Sequence, residues 1–484
     1  MPRHASRWFL VLLVAAGCGP SPLDKTLHSV SARDFSKVEP KVTEVLNEEG
    51  VAPVILHLTE KAELQGRNTR DWKARGRNVV DALRGVASRS QAPLLSFLRA
   101  KELLNIASAI EPLWICNCIV VTADAETIAA VAGRADVKSI RANQPMKVDL
   151  EPLIRTPAGP ETDVEWNIAI IRADAVWADF GITGAGVTVG SMDTGVRWDH
   201  PALKEKYRGW DANSQTVSHD YNWYDATSAH SPVPVDTDTL FGHGTYTTGI
   251  IVGSDGGANQ IGVAPGAKWI MTSIIDEGAA WVAAAHRGFQ WMIAPTDVNG
   301  ENPDPDLRPP VVNNSWGCLP PVDGSCDTEE FRDDVDAWIE AGIFPEFSAG
   351  NSGPAPASML PPGAFAETFA TGATDRLDTI WYFSSRGPGQ DGTIKPEVVA
   401  PGVLVRSSLR NGSYGLASGT SVAGPHVVGL VALLLEANPH LTYQDLAAII
   451  EGTAVPMGDP IPNNTYGWGR IDAYSAVQYA LFPK

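Results

Sequence analysis

Basic residues are scarce over most of this chain. Residues 151–484 hold 17 Lys and Arg against 40 Asp and Glu, a net of −23, whereas residues 1–150 hold 20 against 16, a net of +4. Polynucleotide binding needs basic stripes that displace condensed counterions, so an acidic body excludes nucleic acid as the main partner. Long apolar runs are lacking too. Trp8–Ala16 offers nine residues where about 20 are needed to span a bilayer, and no other segment reads as transmembrane. Cysteine is limited to five residues, none with the histidine spacing of a zinc site. There is no internal repeat or low-complexity tract. What remains is 44% hydrophobic and 19% charged, with 45 Gly and 36 Pro in 484 residues. That is a loop-rich globular protein, long enough for one large domain and a smaller unit.

Arg3 and Arg7 precede the apolar run, and small residues follow it, so residues 1–17 read as a secretory signal. Cys18 after Ala-Ala-Gly is similar to a lipoprotein cleavage box, although Ala15 stands where such boxes favour Leu. The other reading is an ordinary signal with an incidental cysteine. A lipid there would tie only the precursor to a membrane.

Residues 19–45 are polar and read as a linker. Over 46–148 the pattern alternates. Val54–Leu58, 114–122 and Val137–Ala142 read as strands, and 69–86, 94–110 and Ala125–Gly133 as helices, giving a small α+β unit. Cys116 and Cys118 fall on one face of the second strand and are expected to be buried apolar residues rather than a bridge. Residues 149–164 are aperiodic and rich in Pro and acid, as a linker or processing region would be. Cys318 and Cys326 lie in a Pro/Gly/Asp-rich stretch where export would permit a disulfide.

From 165 to 484 short apolar strands alternate with helices. Val187–Met192, Trp269–Ile275, Val311–Asn314, Ile343–Ser348 and Thr368–Ala373 are the clearest strands. Glu329–Ala341 reads as a helix with Phe331, Val335, Trp338 and Ile339 on one face and Gly342 as its stop. This predicts an α/β fold, a mostly parallel sheet covered by helices on both faces, with functional residues at the carboxyl ends of strands.

Four loops there carry chemistry. An apolar strand ends on Asp193 before Gly195; Gly242-His243-Gly244-Thr245 opens a run of small and apolar residues; Phe347–Gly350 delivers Asn351 into a Gly-rich loop. Ser418-Gly419-Thr420-Ser421 leads into the helix Val427–Leu435, so Ser421 sits near a helix N-terminus, where unpaired amides favour negative charge. Taken singly, each residue is as well explained as a cap or a turn. Together they supply an orienting acid, a base, a nucleophile and an oxyanion donor, the set that peptide hydrolysis requires.

The order Asp…His…Ser is that of subtilisin. These loops, with Val-Val-Asn-Asn-Ser-Trp-Gly at 311–317, Phe-Ser-Ser-Arg-Gly-Pro at 383–388 and Lys-Pro-Glu-Val-Val-Ala-Pro-Gly at 395–402, resemble the subtilisin-like serine proteases (subtilases), in particular bacillopeptidase F-like members. The resemblance covers much of 165–475. It implies a subtilisin-like α/β peptidase domain, an Asp193–His243–Ser421 triad and an oxyanion hole at Asn351. It implies that substrate backbone lies along Ser315-Trp316-Gly317 and Ser348-Ala349-Gly350. Trp316 reads either as an aromatic wall of that cleft or as a core residue. Near the first specificity pocket, Met359–Gly363 holds no acid, so small to medium apolar side chains are expected rather than a basic one. The unit at 46–148 resembles a subtilase propeptide, a folding assistant and intramolecular inhibitor.

Two positions depart from the family pattern. Tyr246 replaces a second His, read as a packing change, and Val422 replaces the Met that usually follows the nucleophile. No cofactor is expected for catalysis. Structural calcium is conceivable at Asp236/Asp238 or Asp304/Asp306, pairs that are otherwise merely solvated, and no metal residues are assigned. The expected protein is an exported, bacterial-type zymogen acting on proteins or peptides. The competing readings are a catalytically silent peptide-binding relative and a Ser–Glu–Asp acid peptidase, which the Gly-His-Gly-Thr motif and Asn351 oppose.

Overall fold

The computed structural model describes residues 35–147, 159, 164–227, 229–276, 278–318 and 329–483. The expected signal, Cys18, Cys326 and most of 149–164 lie outside them.

The N-terminal unit opens with helix α1 (Pro40–Glu49), followed by strand β1 (Val51–Leu58), helix α2 (Trp72–Glu102), β2 (Ala107–Leu113), β3 (Cys118–Asp124), α3 (Ala125–Ala132) and β4 (Val137–Ala142). The strands form one sheet in the order β2-β3-β1-β4, with antiparallel neighbours. Three expectations change here. Part of the expected linker is folded, because Val42 and Leu46, four residues apart, bury one face of α1. The two helices expected over 69–86 and 94–110 are instead one helix followed by β2. Pro93 lies inside α2, where it costs about 3 kcal/mol. Burial of Val79, Val80, Leu83, Ala87, Leu94 and Leu98 on either side, at about 1.5–3 kcal/mol for each large side chain, outweighs that.

The third change is Cys116–Cys118, which is a disulfide. Residues 114–117 form the turn before β3 rather than part of the strand, and Asn117 has φ 46°. The turn leaves the two Cα atoms 5.3 Å apart, within disulfide range.

The second unit is built on a seven-stranded parallel sheet. Its strands are β6 (Thr188–Asp193), β7 (Trp223–Asp225), β8 (Lys268–Ser273), β10 (Val311–Asn314), β11 (Phe344–Ser348), β12 (Phe369–Thr374) and β13 (Val398–Pro401). Their order is β13-β12-β11-β10-β6-β8-β7. Adjacent residues face opposite sides, so the sheet reads as continuous apolar runs. Met271 and Val311 join the core beneath helix α7 (Thr420–Ala437), while Ile270 and Val312 join the core beneath α5 (Val282–Ile293) and α6 (Arg332–Ala341). Helix α7 is long and apolar enough to cross a membrane, but it is the buried centre of the first core.

The N-terminal unit docks on α5 and α6. Ile55, Val80, Leu83 and Val120 share one core with Phe289 and Trp338. Around this core, Arg287 pairs with Glu111 at 2.6 Å, Arg141 with Glu330 at 2.6 Å and Lys61 with Asp333 at 2.6 Å; Arg77 pairs with Asp306. Gln290 Oε1 accepts the Trp114 and Ile115 N–H groups. Most of these pairs set basic groups of the first unit against acids of the second, in line with their opposite net charges. At the unit's C-terminal end, β5 (Pro145–Lys147) pairs antiparallel with β9 (Ala279–Trp281), and Met146 is fully buried.

Candidate active site

Strand β6 ends on Asp193, and helix α4 (His243–Val252) begins on His243. Gly244 permits their approach, since a Cβ there would lie 2.0 Å from the Gly195 carbonyl oxygen and 3.1 Å from the Asp193 Cβ. His243 Nδ1–H donates to Asp193 Oδ1 at 2.7 Å, and both side chains are buried. Asp193 is itself held by the Thr194 N–H at 2.7 Å and the Thr247 hydroxyl at 3.1 Å. The carboxylate therefore fixes the imidazole with Nε2 as its other face, and among the described residues Nε2 has no hydrogen-bond partner.

Burial pushes the His243 imidazolium down. The Asp193 carboxylate, by charge and hydrogen bond, with Asp238 and Asp236 behind it, outweighs burial and leaves the group above its ordinary 6.5. Asp236 is fully buried and pushed up to about 6, chiefly by burial, despite hydrogen bonds from Thr245 and Thr194.

Ser421 is the second residue of α7. Its hydroxyl donates to the Ser315 carbonyl at 3.1 Å, while the Ser315 hydroxyl donates to the Ser421 carbonyl at 3.1 Å. The Asn351 carboxamide oxygen accepts both the N–H and the hydroxyl of Thr420 at 2.9 Å, which fixes the side chain beside the helix start. A Cβ at Gly419 would stand 3.7 Å from the Ser421 nitrogen and 3.9 Å from Asn351 Nδ2. Two N–H donors thus border the same bare face of Gly419.

Ser315-Trp316-Gly317 follows the end of β10, and Ser348-Ala349-Gly350 starts on the last residue of β11. Leu360 is wedged between them, for a Cβ at Gly317 or at Gly350 would lie 2.8 Å from one of its carbons. Trp316 is not a wall of the cleft. It is 1% exposed and packs edge-on against Phe289, Phe331 and Phe347, because its side chain points away from the strand ends into the core under α5.

Tyr246 is a packing residue, buried, with its hydroxyl bonded to the Val405 carbonyl and accepting the Ala417 N–H. The acidic pairs are engaged by donors of the protein itself. Asp236 oxygens accept from Thr194 and Thr245, Asp238 from the N–H groups of Leu240, Gly242 and His243. Asp304 accepts the Asp306 N–H, and Asp306 is paired with Arg77 and Lys73. Sequence reasoning missed β9, whose three residues carry no side-chain signal, and it read Asp236 as a calcium or solvated acid, whereas Asp236 is buried between Thr194 and Thr245.

Residues 184–469 match the family model described as the subtilase family. The chain is similar to Bacillopeptidase F of Bacillus subtilis (strain 168), 38% identical over 481 residues, covering 94% of this chain and 32% of that protein. Serine protease AprX of the same organism is 30% identical over 322 residues, 61% of this chain and 67% of that one. Subtilisin E, also from that strain, is 29% identical over 318 residues, 65% and 71% respectively. The chain spans about a third of the length of Bacillopeptidase F.

Proposed function

The chain belongs to the subtilase family, and on that premise we propose that it is an exported serine endopeptidase made as a zymogen. The observation that carries the reading is the buried 2.7 Å contact between His243 and Asp193, with Ser421 at the start of a buried helix. In this reading Ser421 turns from the Ser315 carbonyl to the open Nε2 of His243 and attacks a peptide carbonyl. His243 takes the proton and later gives it to the leaving amine, while Asp193 stabilises the imidazolium. The oxyanion is received by the Asn351 amide and the Ser421 N–H, donors of a kind each worth about 10²–10³ in turnover.

The N-terminal unit serves as the inhibitor. Its strand β5 adds to the edge formed by β9, the mode in which an extended peptide is held by main-chain hydrogen bonds. Substrate replaces it there after cleavage between about 148 and 165, and runs on along Ser315–Gly317 and Ser348–Gly350. The signal-like residues 1–17 and the Cys116–Cys118 disulfide support an oxidising destination outside the cytoplasm.

Purified wild type and Ser421→Ala, incubated at pH 8, test the reading by intact mass and casein cleavage. Wild type loses about 150 residues and cleaves casein, and the variant does neither. Two folded, full-length, inactive proteins would instead indicate a peptide-binding relative.

A further inference from the structure

Three side chains from distant parts of the sequence meet at the seam between the two units. His57 comes from β1, His286 from α5, and Glu330 from the turn leading into α6. Their ligating atoms, one per residue, all lie within 4.8 Å of one another. His57 Nε2 stands 2.8 Å and His286 Nε2 3.0 Å from the same Glu330 oxygen, Oε1. His57 Nε2 is buried and, among the described residues, makes no aligned hydrogen bond despite that closeness. His286 Nε2, by contrast, is hydrogen-bonded to that same oxygen.

The surroundings are those of a metal site. Ligating histidines almost always donate their other nitrogen to a carboxylate or carbonyl, and His286 Nδ1 lies 3.0 Å from both oxygens of Asp334. The second Glu330 oxygen is held by Arg141 at 2.6 Å, which leaves Oε1 as the inward atom. Glu330, Asp334 and Arg141 together carry a net charge of −1, which favours a cation at the imidazoles, whether a proton or a metal ion. A cavity lined by His57, Glu60, Asn117, Lys138, Asp333 and Asp336 brings solvent to the His57 side of the cluster.

We propose that His57, His286 and Glu330 form a binding site for a divalent transition metal of the zinc class, bridging the N-terminal unit to the peptidase domain. Two imidazole nitrogens and one carboxylate oxygen suit zinc, cobalt or nickel, and do not suit calcium or magnesium, which take oxygen sets. Only His57 comes from the N-terminal unit, so the ion would clamp that unit in place. The clamp's effect on activation rests on the propeptide reading, but the site itself does not.

The test uses the full chain carrying Ser421→Ala, which stays uncleaved whatever the N-terminal unit does. Cobalt(II) chloride is titrated at pH 7.5 with visible absorption recorded, beside the same chain carrying His57→Gln or Glu330→Gln. His57 is at the edge of the seam, and circular dichroism checks that each variant is folded. The expected result is one cobalt per chain with ligand-field bands, displaced by zinc, and at least tenfold weaker binding in folded His57→Gln. Equal binding by His57→Gln, or no stoichiometric binding by the parent, overturns the proposal and leaves a cluster held by protons and Arg141 alone. Zinc should also raise the melting temperature of the parent in a concentration-dependent way, and not that of His57→Gln. Failure of casein cleavage by the wild type would count against the protease reading without touching this titration.

Discussion

Asp193 Oδ1 and His243 Nδ1 lie 2.7 Å apart, both buried, at the end of one strand and the start of one helix. The ion pair that forms when His243 takes a proton is therefore stabilised by a charge that water does not screen. His243 must be neutral to act as base, and its protonated form is favoured above the ordinary 6.5. Activity should therefore fall as pH drops, with a midpoint above 6.5. The acid limb of kcat/KM measures this, and a flat profile from pH 5 to 9 would contradict it. Asp193→Asn should lower kcat by about 10⁴ through the wrong tautomer.

Leu360 occupies the space between Gly317 and Gly350 and is 1% exposed. A large side chain at the cleavage site would have to displace it. Leu360→Gly should raise kcat/KM for a Phe-containing substrate over an Ala-containing one at least about tenfold, since burying a side chain of that size contributes about 1.5–3 kcal/mol. An unchanged ratio across a peptide series would place the specificity pocket elsewhere.

Glu346 lies in β11 under the first turns of α7, where a Cβ on Gly424 would come 2.4 Å from its Oε1. Burial pushes its carboxyl up to about 8, and the nearby Thr371 hydroxyl and Asn314 N–H pull it down only weakly. The folded state thus holds a proton that the unfolded state releases near 4.5. Stability should be undiminished below about pH 4.5 and decline as pH rises to about 8, by several kcal/mol in all. Glu346→Gln, in the Ser421→Ala chain, should match its parent near pH 4.5 and melt higher at pH 8. Equal melting temperatures at both values would mean that Glu346 is not carrying that proton.

Much of the site was legible in the sequence because each chemical group sits beside a strand end or a glycine. Asp193, His243, Asn351 and Ser421 are each flanked by small residues that let backbones approach, and these leave a readable local signature. Five of the seven strands of the parallel sheet were legible as short continuous apolar runs, whereas Trp223–Asp225 and Val398–Pro401 were not. Other features were hidden for physical reasons. Pro93 and the α2 stripe compete, and only the packing of Leu94 and Leu98 decides between one helix and two. Cys116–Cys118 depends on a left-handed Asn117, which spacing alone does not announce. His57, His286 and Glu330 are far apart in sequence and meet only because the N-terminal sheet docks on α5 and α6.

Val422 is buried against Phe241 and Tyr246, one residue after Ser421. It has no thioether to oxidise at that position. Wild type should keep its activity in peroxide longer than Val422→Met, measured as inactivation half-lives under one peroxide concentration. Equal half-lives would show that oxidation elsewhere controls inactivation.

The central claim is that Ser421 is a nucleophile activated by His243. A fluorophosphonate probe, which forms a stable ester only with an activated serine, tests it on the matured wild-type protein with peptide mapping by mass. The account predicts one adduct per chain, on Ser421, absent in His243→Ala. No adduct, or an adduct on another serine, would contradict it.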